Sequence, residues 1–186
     1  MIDVTDADAV KRVLGGDPDA FRILVDRHGR DLHRVAYRIT GSAHDAEDVV
    51  QEALIRAYRQ LASFDGRAAM STWLHRITAN CAVDLLRSRM RRPEDGVDEE
   101  KLMDETKRGA MYEQETHARS ADIRTAVARA MTSLTSNERT AFVLRHFEGM
   151  SIDEIGRTLG TKVNATKHTI FRAVRKLRQE LEPLVR

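Results

Sequence analysis

A single cysteine among 186 residues, Cys81, excludes an intrachain disulfide and any zinc site built from several cysteines. No apolar run approaches the length of a membrane span, and Met1–Val13 lacks the apolar core of a signal peptide, so a soluble, cytoplasmic chain is expected. The sequence has no Gly-rich phosphate loop and no GxSxG. Its seven histidines are scattered, none at the i, i+4 spacing that two metal ligands on one helix require. Glu47, Asp48 and Glu52 come nearest to an acid/base cluster, but on a helix they look outward, which suits a solvated or partner-binding face. The expectation is no catalytic residue, no metal and no cofactor: binding is the function to explain.

What the chain has is charge, distributed by segment. Residues 1–93 carry fifteen basic and thirteen acidic side chains, residues 94–115 three and nine, and residues 116–186 thirteen and seven. The formal net charge of +2 therefore hides two basic ends joined by an acidic connector. Basic ends suit a polyanionic partner.

No segment alternates like a strand, and the patterned segments have a helical period. Asp17-Pro18 opens a helix through Phe21, Leu24, Val25, Leu32, Val35, Ala36 and Ile39, with a predicted break at His28-Gly29 and a stop by Gly41. Ser42 caps DAEDVVQEALIRAYRQL, whose Ala46, Val49, Val50, Ala53, Leu54, Ala57 and Leu61 share one face. After the loop SFDGRAAM, a helix starting at Ser71 or Thr72 grows more basic toward Arg92 and ends at Pro93. Acid clusters without apolar period mark a linker, and order resumes near Ala121. The predicted fold is all-α: an N-terminal helical domain over 1–93, a flexible acidic linker over 94–120 and a smaller helical domain over 121–186.

The last domain holds the sharpest pattern. Thr135 with Glu138, and Ser151 with Glu154, form capping boxes. Ile155 and Leu159 make one apolar face, Gly160 permits a tight turn, and a second helix is predicted to bury Val163, Ile170, Val174 and Leu177. Lys167, His168, Phe171, Arg172 and Arg175 then point outward, and from Arg157 to Arg178 there are seven Lys/Arg and no acid. A helix-turn-helix with this face suits a DNA major groove. The helix from Ser71 to Arg92 is a second basic surface, with Arg76, Arg87, Arg89, Arg91 and Arg92 against the single acid Asp84. Phe64 and Trp73 lie beside its loop; an aromatic there can stack on unpaired bases, although Trp73 fits the core better. Asn80 projects near the basic positions, where its amide can pair with a base edge.

The order DAEDVVQEALIRAYRQL, F-x-G, STWLHRITANCAVDLLR, a basic run and a terminal helix-turn-helix resembles bacterial sigma factors of the sigma-70 family. The similarity is to the short extracytoplasmic-function (ECF) group, which has only the second and fourth conserved regions, and it covers roughly residues 8–92 and 125–182. The resemblance implies a partner, core RNA polymerase with its beta and beta-prime subunits, met through Asp48, Gln51, Glu52 and Ile55. It implies that Phe64, Arg76, Asn80, Arg87, Arg91 and Arg92 handle the melted −10 element. It further implies that Val163–Leu177 reads the double-stranded −35 element, with Lys167, His168, Phe171 and Arg172 at base edges and Arg175 and Arg178 at phosphates. An anti-sigma factor is an expected partner, and no membrane insertion is expected.

The segment TKVNATKHT departs from the family pattern of Ser or Pro before Val, followed by Gly-Thr-Val. Asn164 is therefore the expected helix cap in place of Lys162, shifting the helix start by about two residues, and Thr166 stands where the family has a buried aliphatic residue. Two other classes compete: a dimeric helix-turn-helix repressor or activator, and a helical scaffold. The Asp45–Arg92 pattern argues against the first, and two basic faces argue against the second.

Overall fold

The computed structural model of the chain describes residues 4–91 and 118–185, and among these it contains eight α-helices and no strand. Helix α1, Asp6–Leu14, is capped by a box in which the Thr5 hydroxyl accepts from the Asp8 amide at 3.2 Å and the Asp8 carboxylate accepts from the Thr5 amide. A 3₁₀ turn over Pro18–Ala20 leads into α2, Phe21–Thr40. Asp17 precedes this turn without capping it; its carboxylate instead accepts from Arg12 at 2.7 Å.

Helix α2 runs unbroken, which corrects the predicted break at His28-Gly29. An interior glycine costs a helix only about 1 kcal/mol, and here the burial of Leu24, Leu32, Val35, Ala36 and Ile39 outweighs it. The helix stops at Gly41, whose φ of 76° is the left-handed conformation that glycine adopts without strain. Ser42 then caps α3, Ala43–Gln60, accepting from the Asp45 amide at 3.3 Å. A 3₁₀ turn over Leu61–Ser63 and a loop precede α4, Met70–Arg91, which starts one residue before the predicted Ser71.

In the second half lie α5, Ala118–Thr132; α6, Ser136–His146; α7, Ile152–Leu159; and α8, Val163–Val185. Both predicted capping boxes are present, Thr135 with Glu138 on α6 and Ser151 with Glu154 on α7. Gly160 turns the chain with φ 63°. Two expectations for α8 fail. The Lys162 carbonyl accepts from the Thr166 amide at 2.9 Å, so the helix begins at Val163 and Asn164 lies inside it rather than capping it. Val163 is 39% exposed instead of buried. The buried stripe is Thr166, Thr169, Ala173 and Leu177, with Ile170 and Val174 partly covered. Threonine fits this stripe because each hydroxyl has a partner. Thr166 Oγ1 lies 2.8 Å from Thr161 Oγ1 and donates to the Lys162 carbonyl, while Thr169 donates to the Ala165 carbonyl at 2.9 Å.

Helices α2, α3 and α4 pack against one another in pairs, with α1 on α2; α5, α6 and α7 gather around α8. The two halves also meet. Helix α6 lies on α2, and α4 touches both α6 and α7. One continuous apolar cluster takes Val35, Ala36 and Ile39 from α2, Ala79 and Ala82 from α4, and Val143, Leu144, Ile155 and Leu159 from α6 and α7. Burying a side chain the size of Leu144 or Ile155 contributes about 1.5–3 kcal/mol, and both are fully buried.

Candidate functional site

The α3 pattern puts alanines and Val49 inward, which leaves a polar ridge outside. Asp48, Gln51, Glu52 and Ile55 are all exposed on it, Ile55 at 46%. Glu52 accepts from Arg56 at 2.6 Å, and Arg56 also reaches Asp84 of α4 at 3.0 Å. These two hydrogen bonds, opposed by burial, hold the Arg56 guanidinium firmly protonated. The ridge is therefore preorganised and acidic at its N-terminal end, with an apolar step at Ile55 and Tyr58. Asp45 differs from its neighbours: it is buried and pairs through both carboxylate oxygens with Arg89, tying the start of α3 to the end of α4.

The second candidate surface is the outer side of α4. Trp73 packs in the core of the first half, its ring 5.4 Å from Phe64, so Phe64 is anchored beside the loop rather than free in solvent. Arg76, Asn80 and Arg87 recur along one side of α4, and that side faces α7. Arg76 pairs with Glu154, and Arg87 Nη2 donates to the Thr158 carbonyl at 3.4 Å. Asn80 is exposed in a cleft of about 260 Å³ lined also by Arg76, Met150, Glu154, Arg157 and Thr158. Arg91 is the last residue of α4; its side chain and the whole of Arg92 lie outside the described residues.

On α8, all six predicted contact residues, Lys167, His168, Phe171, Arg172, Arg175 and Arg178, are exposed, Phe171 at 64%. Their exposure follows from the buried stripe: with Thr166, Thr169, Ala173 and Leu177 inward, the intervening positions face solvent. Beneath them lies Glu138, almost fully buried at the start of α6. It accepts from Lys176 Nζ at 2.7 Å and lies 3.6 Å from Arg172 Nε. Burial raises the Glu138 pKa, but the Lys176 ammonium and the capping hydrogen bonds from Thr135 outweigh it and hold the carboxyl below its ordinary value. Neither a cluster of metal-ligating side chains nor a helix long and apolar enough to cross a membrane occurs among the described residues.

Two separate family models match the chain: Sigma-70 region 2 over residues 24–92 and Sigma-70 region 4 over residues 124–177. Among curated relatives, the chain is 37% identical to the ECF RNA polymerase sigma-E factor of Escherichia coli strain K12, over 98% of this chain and 97% of that protein. It is 34% identical to the ECF RNA polymerase sigma factor SigW of Bacillus subtilis, over 94% and 96%. The chain belongs to the ECF group of sigma-70 family sigma factors.

Solved structures agree with that membership. CnrH in complex with the cytosolic domain of CnrY is similar to this sigma factor with a TM-score of 0.57 and 28% identity, over 96% of this chain and 97% of CnrH. The sigma factor RpoE of Bartonella quintana, solved with the anti-sigma factor NepR, shares the fold with a TM-score of 0.60, over 87% and 96% at 19% identity. Two residues of this ECF factor were not singled out from sequence, His75 and Glu148. His75 Nδ1 pairs with the buried carboxylate of Glu148, joining region 2 to region 4. Glu138 carried a signal as a capping-box residue, but its contact with Lys176 depends on how α6 crosses α8, which local spacing does not encode.

Proposed function

We propose that this chain binds core RNA polymerase through the α3 ridge of Asp48, Gln51, Glu52 and Ile55 and directs it to its promoters. Region 4 presents α8 to the −35 major groove, with Lys167, His168, Phe171 and Arg172 at base edges and Arg175 and Arg178 at phosphates. Phe64, Arg76, Asn80, Arg87, Arg91 and Arg92 serve the melted −10 strand. In domain terms, 1–93 grips polymerase and the −10 element, 94–120 connects, and 121–186 reads the −35 element. The chain acts in the cytoplasm, without catalysis of its own; strand opening draws on binding energy. An anti-sigma factor is its regulator, by analogy with the Bartonella quintana sigma factor that was solved with one.

The observation that carries this reading is the uniform exposure of the six α8 residues on a helix whose opposite side is pinned by Thr166, Ala173 and Leu177. A dimeric repressor leaves the exposed acidic ridge of α3 without a purpose. The deciding experiment is transcription in vitro by core polymerase, with and without the chain, on a genomic promoter library. Initiation at a discrete promoter set is expected, and its loss in the Asp48→Asn/Gln51→Ala/Glu52→Gln variant alongside unchanged melting. No initiation at any promoter refutes the reading.

A further inference from the structure

Glu138 carries a charge that its capping box does not require. A neutral glutamine at the third helical position completes such a box as well, and a carboxylate whose side chain is 5% exposed has lost most of its hydration. What calls for the charge lies across on α8. Oε2 accepts from the Thr135 amide at 3.1 Å and from Lys176 Nζ at 2.7 Å. Oε1 lies 3.6 Å from Arg172 Nε, and Arg172 Nη2 lies 3.5 Å from the Thr169 hydroxyl. That hydroxyl donates to the Ala165 carbonyl, so its lone pairs remain to accept. The inner edge of the Arg172 guanidinium is thus turned toward the protein. Its side chain is nonetheless exposed, which leaves Nη1 and the outer N–H of Nη2 for a ligand. Arg172 and Lys176 stand one turn apart, where like charges repel; the single carboxylate beneath them offsets that repulsion.

We propose that Glu138 is a positioning residue for −35 recognition: it holds the Arg172 guanidinium end-on to the base edges and withholds Lys176 from the phosphates. This role rests on Arg172 being a base-edge contact, as read above. Paired acceptors on a base edge meet an arginine fork in one plane. A guanidinium fixed at Nε therefore discriminates between bases, whereas one free to swing also reaches a phosphate of any sequence. Lys176, held at 2.7 Å by Glu138, adds no phosphate contact and releases no counterion. Glu138 touches no DNA in this arrangement; it acts through its two partners.

The test compares wild type with Glu138→Gln, which keeps the box and removes the charge. Full-length chain bound to core polymerase competes for promoter duplexes in which each −35 base pair is varied in turn, and Arg172→Ala identifies the position that Arg172 reads. At that position Glu138→Gln should lose about two- to fivefold in discrimination, the range that a part-exposed ion pair supplies, and keep its preferences elsewhere. The free chain, titrated with a fluorescein-labelled random-sequence duplex, should bind at least as tightly as wild type. Its slope of log affinity on log salt should steepen by up to about one, as Lys176 becomes available to phosphates. A residue that only caps α6 moves neither quantity in this way. A Gln chain that melts lower but keeps full discrimination and an unchanged salt slope overturns the proposal, as does an equal loss at every position. If instead Arg172→Ala weakens binding to all duplexes alike, the base-edge reading of Arg172 falls, and the role of Glu138 with it. Should the Gln chain not fold, Glu138→Asp takes its place, since Asp completes the α1 box of this chain. It draws the carboxylate back from Arg172, and an undiminished preference at the Arg172 position then counts against the proposal.

Discussion

Gly156, inside α7, gives the fold a test whose sign the structure sets. Replacing an interior helix glycine with alanine ordinarily stabilises by about 0.5–1 kcal/mol, because glycine loses more backbone entropy on folding. At Gly156 a Cβ would lie 2.9 Å from the Thr161 carbonyl oxygen and 3.1 Å from Thr166 Oγ1. The first of these is backbone, held in place by the Thr161 amide donating to the Gly156 carbonyl at 2.8 Å. The turn cannot yield without loosening α8, and overpacking of this kind costs about 1–3 kcal/mol. The net for Gly156→Ala is a loss of about 0.5–2 kcal/mol. At roughly 2–4 °C per kcal/mol for a chain of this size, the melting temperature falls by about 1–8 °C. Gly29 in α2 is the internal control, since nothing lies within 4 Å of a Cβ placed there. Gly29→Ala gains the helix term alone and melts about 1–4 °C higher. Thermal melts followed by circular dichroism at 222 nm check both. A Gly156→Ala chain that melts at or above wild type refutes the close approach of α7 to the turn.

Below pH 4.5, the ordinary glutamate value, protonation of Glu138 removes its stabilising contacts with Lys176 and the α6 cap. Its folded pKa is the lower one, so the contribution is full above 4.5 and lost as pH falls through the folded value. Glu138→Gln should melt lower than wild type at pH 7 and lose part of the further fall seen on acidification; parallel pH curves for the two chains would disprove the pairing. Burial, only partly opposed by Arg56, pushes the Cys81 thiol up to about 11, and the residue is 4% exposed. At pH 8 the native chain should resist iodoacetamide and react fully once unfolded, as mass spectrometry would read; rapid native labelling would contradict this burial. Arg172→Ala should cost about 1–3 kcal/mol at a single −35 position; an equal loss on every DNA sequence in a competition assay would make Arg172 a phosphate contact.

Local chemistry was legible wherever one residue decides a local event. Ser42, Thr135 and Ser151 cap the helices expected of them, and Gly41 and Gly160 end theirs. The outward faces of α3 and α8 were legible for the same reason, since helical period fixes which residues share a side. Three things were not. The α1 cap of Thr5 and Asp8 has Asp where the usual capping box has Glu or Gln, so the sequence pattern does not announce it. The α8 stripe was misassigned at Val163 because a pattern of apolar residues discounts threonine, while two hydrogen-bonded threonines occupy its buried positions. The meeting of the two halves was illegible altogether. It depends on Glu148 finding His75 and Glu154 finding Arg76 across 73 and 78 positions of sequence, a pairing that no local spacing reports.

The two hydroxyls at the helix-turn-helix, Thr161 and Thr166, alter what that junction is able to hold constant. An aliphatic contact fixes how near two helices lie but resists their rolling over one another only weakly, because apolar attraction has no preferred direction. A hydrogen bond between short side chains fixes an angle as well as a distance. In this chain the Thr161–Thr166 hydrogen bond adds an angular restraint at the start of α8, beside the apolar packing of Ala173 and Leu177 further along it. Thr166→Val keeps the volume and removes the angular restraint. The altered property would then be discrimination among neighbouring bases, with folding and overall affinity for DNA far less disturbed.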